Sequence, residues 1–439
     1  MLDGRSCLFS RALPSSCEQK GMCVFPQCHP IEGASKGKRC LEDGVEEEVA
    51  VIKGRKPRKC SCSHENEKEE CNISQEFWPP PVDDSNDGSS GRDDLYLNSL
   101  IHPLGRDITL ECLVRLPRSA YGVIAALNRS FRSLVRSGEL YRLRREAGIS
   151  EHWVYFSCNI LQWEAFDPNR RRWMRLPQMP PNGCFMFADK QSQAVGTELL
   201  VFGKETTSHV IMRYSILTNS WSSGMKMKTP RCLFGASSLG EKAILVGGVG
   251  AEGTVLNCAE LYNSETGIWT TLPSMNKPRK NCSGVFMDGK FYVIGGHLSN
   301  TESHTCGEEY NLDTKTWRVI ADMCPVRTAA NEPPPLLTVV NNELYAAVHA
   351  ERELKKYKKE NNTWVTLGRL PERVFSVNGW GLAFRGCGER VIIVGGPRGS
   401  AGGTLEIHSW IPTDGPLEWE LLASKPSGSF VYNCAVMGC

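Results

Sequence analysis

The stretch GKFYVIGGH, residues 289–297, decides the fold. Phe291, Tyr292, Val293 and Ile294 are strong strand formers, and two adjacent glycines, Gly295 and Gly296, stand where that strand should end. AILVGGVG (243–250) and VIIVGGPRG (391–399) repeat the pattern with Gly247–Gly248 and Gly395–Gly396. One apolar run ending in glycine is only a strand and a turn. Three copies point to an internal repeat.

Tryptophan supplies the period. Trp173, Trp221, Trp269 and Trp317 follow one another at 48 residues, then Trp364 after 47 and Trp419 after 55. Seven residues before the first five stands an aromatic: Phe166, Tyr214, Tyr262, Tyr310 and Tyr357, in segments such as YNSETGIW and YNLDTKTW. The sixth copy, HSWIPTDGPLEW, carries Trp410 nine residues before Trp419. Turn-forming Asn, Asp, Pro, Thr and Gly lie between, so each aromatic ends one strand and each Trp opens the next. With the glycine-ended strand and the apolar segment before it (NCSGVFMDG, 281–289), the unit holds four strands. This is similar to the kelch repeat of roughly 50 residues, whose four-stranded sheets stack radially into a β-propeller.

Six tryptophans predict six blades, with blades two to six starting near Cys184, Cys232, Cys282, Ala329 and Val377. The first copy, HWVYFSCNILQWEAFDP (152–168), lacks a first strand, and the chain closes on GSFVYNCAVMG (428–438), a strand without a blade. That late strand is expected to complete blade one and close the ring, removing free sheet edges. LLVFGKE (199–205) keeps one glycine of the pair and LYAAVHA (344–350) keeps none, so fewer than six copies carry the full pattern.

Net charge is +2 over 439 residues, which gives no global drive toward nucleic acid or membrane. No run of 18 apolar residues is present, and the opening MLDGRSCLFSRALPSS lacks the apolar core of a signal peptide. Nineteen cysteines without such a signal read as free thiols in a reducing compartment. Eight of them precede residue 72, in a charged, Gly/Ser/Pro-rich region expected to be disordered over residues 1–95. Cys23, Cys28, His29, Cys60, Cys62 and His64 fit no standard zinc spacing and read as unpaired. The run Lys53, Arg55, Lys56, Arg58, Lys59 reads either as a solvated basic patch or as a nuclear-import signal, and the expected location is nucleus and/or cytoplasm.

Residues 99–148 change character. Ile108, Cys112 and Leu116 recur at helical spacing before Pro117 stops the run. Ile124, Leu127, Phe131, Leu134 and Val135 form a second stripe, with Gly138 as its C-cap, and Leu140, Leu143 and Ala147 a third that Gly148 ends. Three short helices bury little core and gain stability from a neighbour. Leu104, Asp107, Ile108, Leu113, Leu116 and Pro117, continued by Leu127, Arg129, Phe131, Arg132, Ser133 and Leu134, resemble an F-box. Gly105 stands where that family usually has proline, Phe131 where tryptophan is common, and Tyr121–Gly122 where a leucine pair is usual.

F-box followed by kelch propeller resembles the plant F-box/kelch-repeat family over roughly residues 99–439. The resemblance implies a non-catalytic substrate receptor of a Skp–cullin–F-box ubiquitin ligase. The helices would dock the Skp adaptor and, through it, cullin; the propeller would hold the target protein. Leu104, Ile108, Leu113, Leu116, Pro117, Leu127 and Leu134 are then the adaptor-binding candidates, unless they only build the bundle's own core. The alternative is a kelch scaffold whose helices merely cap the propeller.

Strands in a blade alternate direction, so the loop after the second strand and the loop before the first share a face. On that face Arg231, Arg279, Arg327 and Arg373 recur at steps of 48, 48 and 46, joined by Lys280, Arg398, His297 and His349. Arginine suits bidentate contact with carboxylate or phosphate, so these eight residues form a candidate substrate rim; ordinary loop hydrogen bonds are the competing reading. His209, His297, His304 and His349 fall on the same side without metal-ligand spacing, the glycine pairs end strands rather than open a phosphate-binding helix, and no nucleophile with a positioned base is recognisable. No metal, cofactor or catalytic residue is expected. Arg142, Arg144 and Arg145 read as a solvated helix face rather than a nucleic-acid site.

Overall fold

A computed structural model of the chain describes Phe9–Ser10, Leu100 and residues 104–439 except 160, 181–184, 206–207, 327–331, 375, 377–378, 397, 400–401 and 428–430. The cysteine-rich tail, its candidate zinc ligands and the basic run therefore lie outside the described residues, apart from Phe9–Ser10, whose backbone pairs with Phe187 and Ala188.

Six blades built on four antiparallel strands follow, with a short fifth strand added to blade two by Phe9–Ser10 and to blade six by Arg398–Gly399. In blade four the strands are Ser283–Met287, Lys290–Ile294, Gly307–Asn311 and Thr316–Ile320, hydrogen-bonded in that order. The ring closes as expected: Asn433–Gly438 pairs with His152–Asn159 and becomes the first strand of blade one.

The repeating aromatics do two jobs. Each pair sits directly cross-strand, Phe166 opposite Trp173, Tyr214 opposite Trp221, Tyr262 opposite Trp269, Tyr310 opposite Trp317 and Tyr357 opposite Trp364. Ring centroids in these pairs are 4.8–5.4 Å apart, within the range where aromatic contact adds to area burial. In blades two to six the indole N–H then donates back to the segment leading in from the preceding blade. Trp221 donates to the Pro177 carbonyl (2.7 Å), Trp269 to Met225 (2.9 Å), Trp317 to Pro273 (2.8 Å), Trp364 to Met323 (3.0 Å) and Trp419 to Arg369 (3.0 Å). Blade one meets blade six differently: the Lys425 ammonium lies 4.5 Å from the centre of the Trp173 ring and pairs with Glu164. Apolar clusters fill each wedge between neighbouring blades, so no blade buries its faces alone.

The glycine pair is needed for close approach. Gly295 and Gly296 have φ of 69° and 93°. A Cβ on Gly296 would stand 2.8 Å from the Lys280 carbonyl oxygen, so only glycine admits the linker that crosses there.

Before the propeller come four helices, not three: α1 (Arg106–Arg115), α2 (Tyr121–Leu127), α3 (Arg129–Arg136) and α4 (Glu139–Glu146), with a 3-10 turn at Arg118–Ala120. The expected second helix is split at Asn128, whose backbone is extended (φ −161°) and whose side chain accepts from the Phe131 amide at 2.9 Å. An N-cap of this kind restarts a helix inside an unbroken apolar stripe. Gly138 takes the left-handed conformation (φ 78°) expected of a helix stop. Among the described residues nine cysteines are free thiols, and Cys232 departs from that expectation by being disulfide-bonded. No described helix is long and apolar enough to cross a membrane.

Candidate functional site

Two surfaces carry the predicted residues. On the helical domain the seven adaptor candidates divide. Leu113 and Leu134 are buried among Leu110, Val114, Phe131 and Val135, where they build the bundle's core. Leu104 and Leu116 are exposed, Ile108 is 55% exposed and Leu127 66%; Pro117 is half-buried. Ile108 and Cys112, four residues apart on one side of α1, are both exposed, and Leu104 and Leu116 flank the two ends of that helix. Val123, on α2 and 64% exposed, is an apolar surface residue that sequence reasoning missed. It lies one residue outside the stripe through Ile124 and Leu127, which is where a surface-facing apolar residue should have been sought. Scattered exposed apolar residues are ordinary, but Ile108, Val123 and Leu127 are each more than half exposed on a very small domain and lie outside the core that the helices share with blades one and two.

On the propeller the recurring arginines part company. Arg231 and Arg279 are buried, at 1% and 0% exposure. The Arg279 guanidinium pairs with Glu308 (2.7 Å) and donates to the carbonyls of Gly295 (2.8 Å) and Cys306 (3.2 Å). Glu308 also accepts from the backbone amides of Asn276 (2.7 Å) and Lys277 (3.1 Å). Arg231 repeats the arrangement with Glu260 and the Cys258 carbonyl (2.9 Å), while Glu260 takes the amides of Lys228 (2.9 Å) and Thr229 (3.0 Å). These pairs tie the incoming linker to the blade and to the carbonyl ahead of the glycine turn. They are internal clamps, so the expectation of a rim built from all four arginines is corrected for Arg231 and Arg279.

Arg373 is placed otherwise. Its Nε meets the buried Glu406 at 2.8 Å, and Glu406 is also bonded to His408 (3.0 Å), but the Arg373 side chain remains 64% exposed. Lys280 is half-buried and donates to Asn300 at 3.2 Å. His297 is buried, and its backbone exchanges hydrogen bonds with Lys280 at 2.8 and 2.9 Å. His349 is half-buried beside a cleft lined by Pro333, Pro334 and Pro335. Arg327 and the side chain of Arg398 lie outside the described residues.

Burial, reinforced by the Lys280 charge, lowers the His297 pKa, and burial likewise lowers those of His209 and His304, so all three favour the neutral form. His304 Nε2 lies 3.0 Å from the Pro278 carbonyl. Among the described residues no three His, Cys, Asp or Glu side chains converge as metal ligands. The solvated basic face expected on α4 also needs correction. Arg144 is fully buried, donating to the carbonyls of Val114 (2.9 Å) and Leu116 (2.6 Å), and Arg145 pairs with Glu241 at 2.8 Å.

Comparison with known proteins agrees with this architecture. The Kelch motif family model matches residues 230–276 and 278–323, which are blades three and four with their linkers. These blades carry the glycine pair, the Tyr–Trp pair and the Arg–Glu clamp together. The F-box/kelch-repeat protein SKIP11 of Arabidopsis thaliana is 54% identical over 365 residues, covering 80% of this chain and 77% of that protein. The F-box/kelch-repeat protein At1g74510 of the same plant is 50% identical over 456 aligned positions, covering all of both chains. With a helical domain ahead of a closed ring of kelch blades, and identity of this order sustained along the full length, the chain belongs to the F-box/kelch-repeat protein family.

Proposed function

We propose that this protein is the substrate-recognition subunit of a Skp–cullin–F-box ubiquitin ligase, with the helical domain docking the Skp adaptor and the propeller holding the target protein. The observation that carries the reading is the set of apolar side chains left on the surface of the helical domain: Leu104, Ile108, Leu116, Val123 and Leu127. These side chains lie outside the core that the helices share with the propeller, and a partner covering them would take their apolar surface out of water. Leu113 and Leu134 act through the bundle's core, and Pro117 at its margin. On the target side, Arg373 with Lys280, His349, Arg327 and Arg398 would meet an acidic or phosphorylated segment, since an exposed guanidinium can still form charge-assisted hydrogen bonds. The chain itself would perform no bond chemistry and need no cofactor. Its place of action would be the nucleus and/or cytoplasm.

The scaffold reading draws on a different observation, the core that the helices share with blades one and two. Binding of the full chain to purified Skp adaptor separates the two. The wild type should bind, and an Ile108→Asp, Leu127→Asp double variant should lose about 100-fold or more, as expected for central apolar anchors. The melting temperature should barely change, because both side chains face solvent. A folded wild type that does not bind would leave the scaffold reading standing.

A further inference from the structure

Short linkers usually leave domains free to swivel unless the interface between them is large and apolar. Here Ala147–Glu151 is all that separates α4 from the second strand of blade one, His152–Asn159. One continuous core runs across the junction, from Leu110, Tyr121, Leu140 and Tyr141 of the helical domain to Trp153, Tyr155, Trp163, Leu199 and Tyr214 of blades one and two. The helices meet the propeller at Leu217, in the hairpin between the third and fourth strands of blade two, and at Glu241, between the first and second strands of blade three. Alternating strand direction puts both hairpins on the face opposite the loops that carry Arg373 and Lys280.

Two buried cations sit in that junction. The Arg118 guanidinium lies 4.1 Å from the centre of the Trp153 ring and donates to the Tyr155 hydroxyl, to the Glu151 carbonyl at 3.4 Å and to the Met437 carbonyl at 3.5 Å. Arg144 binds the helical domain's own carbonyls, as described above. One carboxylate meets both segments: Glu151 accepts from the Arg118 amide (3.1 Å) and from the Arg144 guanidinium (3.2 Å) through one oxygen. Its second oxygen accepts from Arg170 of blade one at 3.3 Å. The Glu151 backbone exchanges hydrogen bonds with Cys439, next to the closing strand, at 3.1 and 3.2 Å. Removing a carboxylate from beside a buried guanidinium leaves an uncompensated charge in a low-dielectric site.

We infer that Glu151 is a positioning residue that locks the helical domain to blade one, so that the exposed apolar stripe and the far loops of the propeller keep one fixed relative orientation. The receptor is in this sense a rigid bracket rather than two domains on a hinge. The inference stands apart from the adaptor reading, since neither of its tests involves the adaptor.

Native-state hydrogen exchange on the full chain tests it first. The slowest amides of α1, α3 and α4 should open together with those of His152–Asn159 and Asn433–Gly438, within about threefold in rate, as one cooperative unit. Helices that exchange more than about tenfold faster than those strands would overturn it. The second test reads orientation directly, from the distance distribution between labels at Arg136 and Asp313, both exposed. The wild-type distribution should be narrow, and Glu151→Ala should broaden it while the blade-four amides keep their exchange rates. A Glu151→Ala protein with an unbroadened distribution would overturn the inference. If that variant fails to fold, the wild-type exchange comparison still decides.

Discussion

Blade four and blade six carry an arginine at the same point of the repeat, and the two side chains have opposite fates. Arg279 is enclosed, with its guanidinium spent on Glu308 and two carbonyls. Arg373 meets its glutamate through Nε and leaves most of its side chain in water. Around Arg279 the segment from Gly295 to Cys306 folds over the guanidinium and offers carbonyls at both of its ends. In blade six the third strand instead starts early, at Gly402, and Gly402–Gly403 pair with Arg398–Gly399 as a short hairpin of their own. Recurrence in a repeat thus marks a shared location, while burial decides whether the residue clamps the fold or faces a partner.

The largest expected effect breaks this comparison at its buried end. Arg279→Met should cost about 3–5 kcal/mol in urea unfolding, because Glu308 is left buried without its cation. Arg231→Met should behave alike. A cost under about 1 kcal/mol would mean that the clamp is dispensable and that burial does not separate the two arginines.

Glycine sharpens it next. Gly296→Ala combines a positive φ with a Cβ thrust against the Lys280 carbonyl and the Cys282 side chain. It should destabilise by roughly 2–3 kcal/mol. Gly289→Ala, at φ 68° with nothing near the added Cβ, should cost only about 1 kcal/mol. Equal losses in thermal melts would show that conformation, not close approach, explains the pair.

Acid titration follows. Hydrogen bonding from Arg318, with help from Lys290 and Tyr292, holds the Glu309 pKa down at about 2 against an ordinary 4.5. A depressed carboxylate contributes stability that is fully present above pH 4.5 and lost as pH falls toward 2. Glu309→Gln should therefore flatten the stability–pH curve inside that window and leave its shape above pH 5 alone. An unchanged acid limb would count against the assignment.

The smallest effect on stability belongs to Arg373→Ala, about 1 kcal/mol or less, because its exposed guanidinium is well solvated and the buried Glu406 keeps its bond to His408. A loss matching that of Arg279→Met would place Arg373 with the internal clamps and remove it from the proposed target-binding face.

Much of the fold was legible before any coordinates. The aromatic at seven residues before each tryptophan became a direct cross-strand pair in all five copies, because a tight antiparallel hairpin leaves little freedom of register. The orphan strand at 428–438 found the blade that lacked one. Less of the candidate site could be read. Helical spacing read Leu113 and Leu116 as parts of one helix, yet Leu113 is core while Leu116 is the extended C-cap of α1 and exposed. Asn128 interrupted a stripe whose apolar period never faltered, since a cap acts through one side-chain oxygen and leaves no trace in periodicity. Arg144 resembled a surface cation until the end of α1 and Glu151 closed around it.

By itself, then, the sequence determined the number of blades and the four-strand order within each, which follow from contacts between residues close in the chain, and the closure of the ring, which follows from a first copy that lacks a strand and a repeat that must bury both faces of every sheet. Only the tertiary structure decided which arginines are clamps, which leucines face solvent, and that the helical domain shares its core with the propeller. Those outcomes depend on residues brought together from distant parts of the chain, such as Arg118 with Met437 and Glu151 with Cys439, and local spacing does not encode such encounters.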